Sequence, residues 1–168
     1  FYSMYSNSLN TIYLYSGTPV CYNAVIESEG DNFENGGTLH EFFINPDNLA
    51  SPVLGDVILG APLTSFDWIS GKETHQYVFR NQAGTFIPVK QIFTHYHDDS
   101  TVSTSYPAYV TNKKYQPNCK DDPPFPSEVQ AYDVSVYLLY RKWLYADSIR
   151  TLTYDGSGVN YVEQDVAT

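Results

Sequence analysis

The sequence predicts an all-β or β-dominated fold, a curved antiparallel sheet or open half-barrel with at most one or two short helices. Three observations predict it. Apolar residues recur with period two along most of the chain, whereas helical periodicity is scarce. Turn-forming residues divide the chain roughly every eight to twelve residues, as in β-rich domains. Aromatics make up 16% of the 168 residues, with 16 Tyr and 9 Phe, and charged residues only 17%. That composition suits half-buried sheet faces and does not suit disorder. The length fits one domain, 1–168, with 118–126 as a natural boundary within it.

Residues 11–15 (TIYLY) and 20–26 (VCYNAVI) read as strands on either side of Gly17-Thr18-Pro19. The polar stretch 27–37 reads as a surface loop. A strand over 39–44 stops at Asn45-Pro46-Asp47, and 56–59 is a short apolar run between Gly55 and Gly60. Three further strands follow over 66–69, 75–80 and 86–94. Turn signals separate them at Ser70-Gly71-Lys72 and Asn81-Gln82-Ala83-Gly84. Pro88 has no N–H for a ladder, so it places the last of these at an edge or a bulge.

Residues 106–111 form another short strand, and 118–126 (NCKDDPPFP) is the clearest linker. Beyond it 131–140 alternates, with Tyr132, Val134, Val136 and Leu138 on one face. Residues 143–149 fit one helical turn or a bulged strand. The stretch 149–154, the turn Asp155-Gly156-Ser157-Gly158 and the stretch 159–162 read as a hairpin.

Lys and Arg number 9 against 19 Asp and Glu, a net charge of -10. A sequence-independent nucleic-acid binder needs the opposite sign, because its affinity comes from counterion release at phosphates. Attraction to an anionic membrane surface is excluded likewise. No apolar run is long enough for membrane insertion as a spanning helix. Two cysteines, one Met and abundant Tyr, Asn, Ser and Thr point to a secreted, extracellular protein with a Cys21–Cys119 disulfide. Such a bridge closes a loop of about 98 residues and contributes on the order of 4–5 kcal/mol. The alternative is two buried free thiols. No Asn-x-Ser/Thr sequon is present; Asn7-Ser8-Leu9 and Asn10-Thr11-Ile12 fail at the third position.

The sharpest chemical motif is Thr94-His95-Tyr96-His97-Asp98-Asp99-Ser100 after an apolar strand. It resembles the opening of the metallo-β-lactamase signature His-x-His-x-Asp-His, which makes His95, His97 and Asp99 candidate zinc ligands. The match then breaks. Ser100 stands where the last His belongs, and no His follows His97. Asp98-Asp99, Asp121-Asp122 and the 155–158 turn are acidic enough to consider calcium, but none has the spacing of a calcium loop. No G-x-S-x-G nucleophile motif or phosphate loop occurs. No cofactor is therefore expected, with zinc and calcium as minor alternatives.

Phe66-Asp67-Trp68-Ile69, His75-Gln76-Tyr77-Val78-Phe79 and Gly84-Thr85-Phe86-Ile87-Pro88-Val89-Lys90 are followed by Tyr106, Tyr109 and Asp121-Asp122-Pro123-Pro124-Phe125. This segment, about residues 66–125, resembles the closing half of ependymin-related domains, which share the LolA-like lipoprotein-carrier fold. Pro88-Val89 and Cys119 take the places of that family's Pro-Val pair and Cys. Tyr132-Asp133-Val134-Ser135-Val136 resembles an opening strand of the same family, yet it follows the closing segment. The resemblance thus implies a circular permutation or one period cut from a tandem array, and the absence of an initiator Met favours the second.

Two functions from different classes follow. The first is a non-catalytic extracellular building block, a subunit or repeat of a filament or larger assembly. Its edge strands, with 11–15 and 159–162 as candidates, would join identical copies. The second, implied by the resemblance, is a soluble carrier binding an apolar ligand such as lipid. Its candidate cavity residues are Phe42, Phe43, Phe66, Trp68, Phe79 and Phe93. A zinc-dependent hydrolase acting through His95 and His97 ranks third.

Overall fold

The computed structural model describes residues 21–113 and 132–167. Through them run the strands β1 (Ala24–Glu29), β2 (Gly36–Phe43), β3 (Ser51–Leu54), β4 (Lys72–Gln82) and β5 (Thr85–Asp98). They continue with β6 (Thr104–Lys113), β7 (Tyr132–Arg141), β8 (Leu144–Tyr154) and β9 (Tyr161–Ala167). A 3-10 turn, Asp31–Phe33, joins β1 to β2. Every ladder is antiparallel. The strands make a six-stranded sheet in the order β1-β2-β4-β5-β8-β9 and a three-stranded sheet in the order β3-β7-β6. Among the described residues both sheets are open and neither closes into a barrel. The β-dominated, open antiparallel architecture that the alternation predicts is therefore the one found.

The chain divides into two compact units. The larger comprises Val20–Asn45, Asp67–Ser103 and Lys142–Thr168 and carries the six-stranded sheet. Its register is continuous across all six strands. Ile26 stands opposite Leu39, Leu39 opposite Tyr77, Tyr77 opposite Gln91, Gln91 opposite Leu152 and Leu152 opposite Glu163. Directly opposed residues share a face, so this row defines one side of the sheet. The neighbouring row, Val25, His40, Gln76, Ile92, Thr151 and Gln164, defines the other. Bulges flank these rows where the register slips, at Thr74 in β4, Val89 in β5 and Asp147 in β8. The Val89 bulge adjoins Pro88, whose missing N–H is accommodated there. The 143–149 segment resolves as a bulged strand, with Asp147 as its extra residue.

The β8–β9 hairpin forms where the sequence predicts it. Its turn is tied by Asp155, whose Oδ1 accepts the Ser157 N–H at 3.0 Å and whose Oδ2 accepts the Asn160 side-chain amide at 2.8 Å. Gly158 has φ +73°, and a side chain there would run into Ile87 and Pro88. Only glycine adopts that conformation without strain at such close approach.

The smaller unit includes Pro46–Phe66 and Thr104–Arg141. Among its described residues the buried side chains are mostly polar, Asp47, Thr64, Asp133 and Ser135, with Ala50 the apolar one. Asp47, Thr64 and Asp133 hold backbone outside the ladders. Asp133 Oδ1 accepts the Asp56 N–H at 2.6 Å, Asp47 Oδ1 accepts the Phe66 N–H at 2.8 Å, and Thr64 Oγ1 accepts the Leu138 N–H at 2.9 Å. At the start of β7 the buried positions are Asp133 and Ser135, Val134, Val136 and Leu138 are half-buried, and Leu139 is exposed.

Three local expectations change. The stretch 27–37, read as a surface loop, supplies the end of β1 and the start of β2 on either side of the 3-10 turn. Residues 66–69 are not a strand; Phe66 is satisfied by Asp47, and the chain then turns through 67–71 to reach β4. Ser70 Oγ binds both backbone groups of Asn45, which fixes that turn. Conversely β3 forms over 51–54, where no strand is predicted, because an edge strand with a bulge at Val53 tolerates Pro52. Residues 11–15, the 118–126 linker and Cys119 lie outside the described residues.

Apolar burial in the larger unit centres on Phe79 (9% exposed) and Leu152 (7%). Phe79→Ala is expected to destabilise the protein by about 3 kcal/mol, near the lower end for buried aromatics. Val162→Ala, at a position 74% exposed, should change stability by less than about 0.5 kcal/mol. Denaturant melts of both variants check the contrast.

Candidate functional site

One face of the six-stranded sheet carries a run of rings. Period two along β4 puts His75, Tyr77 and Phe79 on the same side. Phe86 meets Phe79 edge-on at 5.0 Å between centroids, Phe79 meets Tyr77 at 5.6 Å, and Tyr77 meets His75 at 6.4 Å. His75 in turn stacks on Phe93 at 4.4 Å with the rings 9° apart. Offset and edge-to-face contacts of this kind add to the area they bury. Phe33 joins from the turn after β1, 6.0 Å from Phe79 and 6.1 Å from Phe86. Its backbone sits at φ +62°, following Asn32 at +54°. A bulky residue rarely adopts this conformation, and ring packing compensates its strain.

Ile26, Phe33, Leu39, Tyr77, Phe79 and Phe86 line an apolar cleft of about 280 Å³ on this face. Burial pushes the Tyr77 phenol above its ordinary pKa, with the Tyr154 phenol a smaller cause in the same direction. Tyr77 therefore presents a neutral hydroxyl at neutral pH.

The candidate cavity residues are only partly brought together. Phe79 lines the cleft, and Phe93 continues the aromatic run through His75. Phe42 follows His40 on the opposite face, their rings 6.4 Å apart. Phe43 is exposed at the end of β2. Trp68 lies in the turn before β4 with Lys142 Nζ 5.2 Å from its ring centre. Phe66 belongs to the smaller unit, 5.5 Å from Tyr140. Sequence reasoning missed Phe33, Ile26, Leu39, Tyr77 and Phe86. The signal for Tyr77 and Phe79 was the parity of 75–80; for Phe33 it was a single aromatic within a polar stretch.

The histidine motif forms the end of β5. His95 Nδ1 lies 2.6 Å from Asp147 Oδ1, a contact that the β8 bulge makes by adding Asp147 beside the ladder. His97 packs edge-on to Tyr145 at 5.7 Å. Asp99 accepts the Thr101 N–H at 2.9 Å and the Thr101 hydroxyl at 2.6 Å. Asp98 pairs with Lys142 and accepts from Ser103. Among the described residues no three His, Cys, Asp or Glu side chains converge to hold a metal ion. His95, His97 and Asp99 thus have separate partners and form no common ligand set. Cys21 is described but Cys119 is not, so the proposed bridge lies outside the described residues.

Among the described strands the two edges of the six-stranded sheet are β1 and β9. Every residue of both strands is exposed. Neither contains Pro, Lys or a bulge, devices that commonly blunt a free edge. Acidic side chains take that place: Glu27 and Glu29 on β1, Glu163 and Asp165 on β9. Arg150 on β8 reaches Glu163 at 2.6 Å.

Several carboxylates are held below the usual range by their hydrogen bonds: Asp98 by Lys142 and Ser103, Asp99 by Thr101, Asp147 by His95 and Asp155 by Ser157 and Asn160. A depressed folded-state pKa gives stability that is complete above the unfolded value, about 4, and is lost as pH falls through the folded one. The melting temperature should therefore fall as pH drops below about 4. Asp155→Asn should lower it at neutral pH and flatten the acid limb, which thermal melts across pH test.

No family model matches the chain, and comparisons with curated proteins and with solved structures give no significant match.

Proposed function

We propose that this chain is a non-catalytic extracellular building block that associates with copies of itself through the edges of its six-stranded sheet. The observation that carries the reading is the pair of edge strands, exposed at every position and free of proline, lysine and bulges. Each presents a row of backbone donors and acceptors ready for strand addition. Apolar side chains flank those rows, with Val162 at 74% and Ile26 at 56% exposure. Their burial between copies would drive association. The net charge of -10 keeps separate chains apart and makes association salt-dependent.

A second reading, a carrier of an apolar ligand, is favoured by the cleft around Phe79, Phe33 and Phe86 and by the ependymin-related resemblance. The cleft falls slightly below the roughly 300–1,000 Å³ of small-molecule sites, which places this reading second.

Sedimentation velocity and electron microscopy test the first reading. Mean mass should rise with protein concentration, and more so at raised salt, with extended assemblies visible. A monomer under all these conditions overturns it. The carrier reading predicts that a long-chain fatty acid binds stoichiometrically and that Phe86→Ser weakens binding about tenfold, measured by tryptophan or probe fluorescence. Absence of binding removes it.

A further inference from the structure

The backbone alternation of both edges can be read from the bonds that continue their ladders. The Asn23 carbonyl accepts the Phe42 N–H at 2.8 Å, one step beyond the Ala24–Glu41 pair. Bonded and non-bonded pairs alternate in an antiparallel ladder. Val25, Glu27 and Glu29 therefore bond inward to β2, and Ala24, Ile26 and Ser28 turn their N–H and C=O groups outward. At the other edge the Asp155 N–H donates to the Asn160 carbonyl at 2.8 Å, one step beyond Tyr154–Tyr161. Val162, Gln164 and Val166 thus bond inward to β8, and Tyr161, Glu163, Asp165 and Ala167 turn outward.

The outward residues of both edges lie on the same side of the sheet. Ile26 and Glu163 are the two ends of the continuous row through Leu39, Tyr77, Gln91 and Leu152. Six strands, all antiparallel, also leave β1 and β9 running in opposite directions. A second copy set beside the first without rotation would bring its β1 antiparallel to β9, with outward groups facing outward groups and each face continued by the same face.

Charge then selects among the pairings. On β9 the acids Glu163 and Asp165 share the aromatic face, whereas on β1 the acids Glu27 and Glu29 share the opposite face. At a β9–β1 junction Glu163 and Asp165 fall beside Ala24, Ile26 and Ser28. Glu27 and Glu29 fall beside Val162, Gln164 and Val166. No acid stands opposite an acid. An antiparallel β9–β9 or β1–β1 pair about a two-fold axis sets acids against acids on one face, which destabilises it. A parallel two-fold pair avoids that clash but inverts the faces and breaks the antiparallel alternation.

We propose that copies join head to tail, β9 of one chain adding antiparallel to β1 of the next, so that the six-stranded sheets continue as one. This rests on the building-block reading and gives it a polarity. A heterologous junction of this kind propagates and leaves one free β1 and one free β9 at the two ends.

The test blocks one edge at a time. Ile26→Pro removes an outward N–H from β1 and Asp165→Pro removes one from β9, leaving the inner ladders intact. Each variant alone should be monomeric at concentrations where the unmodified chain assembles. An equimolar mixture should form a one-to-one dimer, seen by native mass spectrometry with one variant isotope-labelled. A single variant that dimerises by itself, or a mixture that stays monomeric while the unmodified chain assembles, overturns the head-to-tail junction and leaves the building-block reading standing. An unmodified chain that never assembles overturns both. If a proline variant fails to fold, the paired variants Ala24→Glu with Ile26→Glu, and Val162→Glu with Val166→Glu, take its place. They set acids against the neighbour's acids at exposed positions, and the same mixing outcomes apply.

Discussion

The continuous register from Ile26 to Glu163 is the constraint on which the larger unit depends. An antiparallel ladder keeps opposed side chains on one face, so a slip of one residue anywhere in the row would exchange the faces beyond it. The bulges at Thr74, Val89 and Asp147 fall to the sides of this row. They redirect strand ends without disturbing the middle. The cleft around Phe79, the exposed acids of the edges and the partnership of His95 with Asp147 all take their positions from that arrangement.

The same register separates two kinds of surface. The aromatic face gathers rings on β4 and β5 and a single ring from the 3-10 turn, whose left-handed backbone delivers Phe33 to Phe79 and Phe86. The edges carry backbone groups flanked by acidic and exposed apolar side chains. Buried apolar side chains among the described residues are few, namely Ala50, Phe79 and Leu152. Among these residues backbone ladders and side chain–backbone bonds therefore bear more of the specificity than apolar burial does.

Much of this architecture was legible in the sequence because period two is a local signal. The alternation over 75–80, 86–94 and 131–140 located strands, Asp155-Gly156-Ser157-Gly158 located the hairpin, and Pro88 announced an edge or a bulge, of which the bulge is found. What was not legible depended on long-range partners. Phe66 lost its strand to the carboxylate of Asp47, nineteen residues earlier. Residues 51–54 became a strand, despite Pro52, because β7 was there to pair with. The candidate cavity residues share aromatic character, but parity and unit membership decide which rings meet. Phe42 and Phe79 are on opposite faces, and Phe66 is in another unit. His95, His97 and Asp99 had suggestive spacing, yet their partners come from β8 and from the loop after β5.

Among the described residues the smaller unit buries four polar side chains, Asp47, Thr64, Asp133 and Ser135, and one apolar one, Ala50, and Asp47, Thr64 and Asp133 accept backbone N–H bonds. Exposing apolar surface raises the heat capacity of unfolding, whereas exposing polar surface lowers it. On unfolding, these four polar side chains therefore pull the heat capacity down, opposite in sign to the contribution of Phe79 and Leu152 in the larger unit.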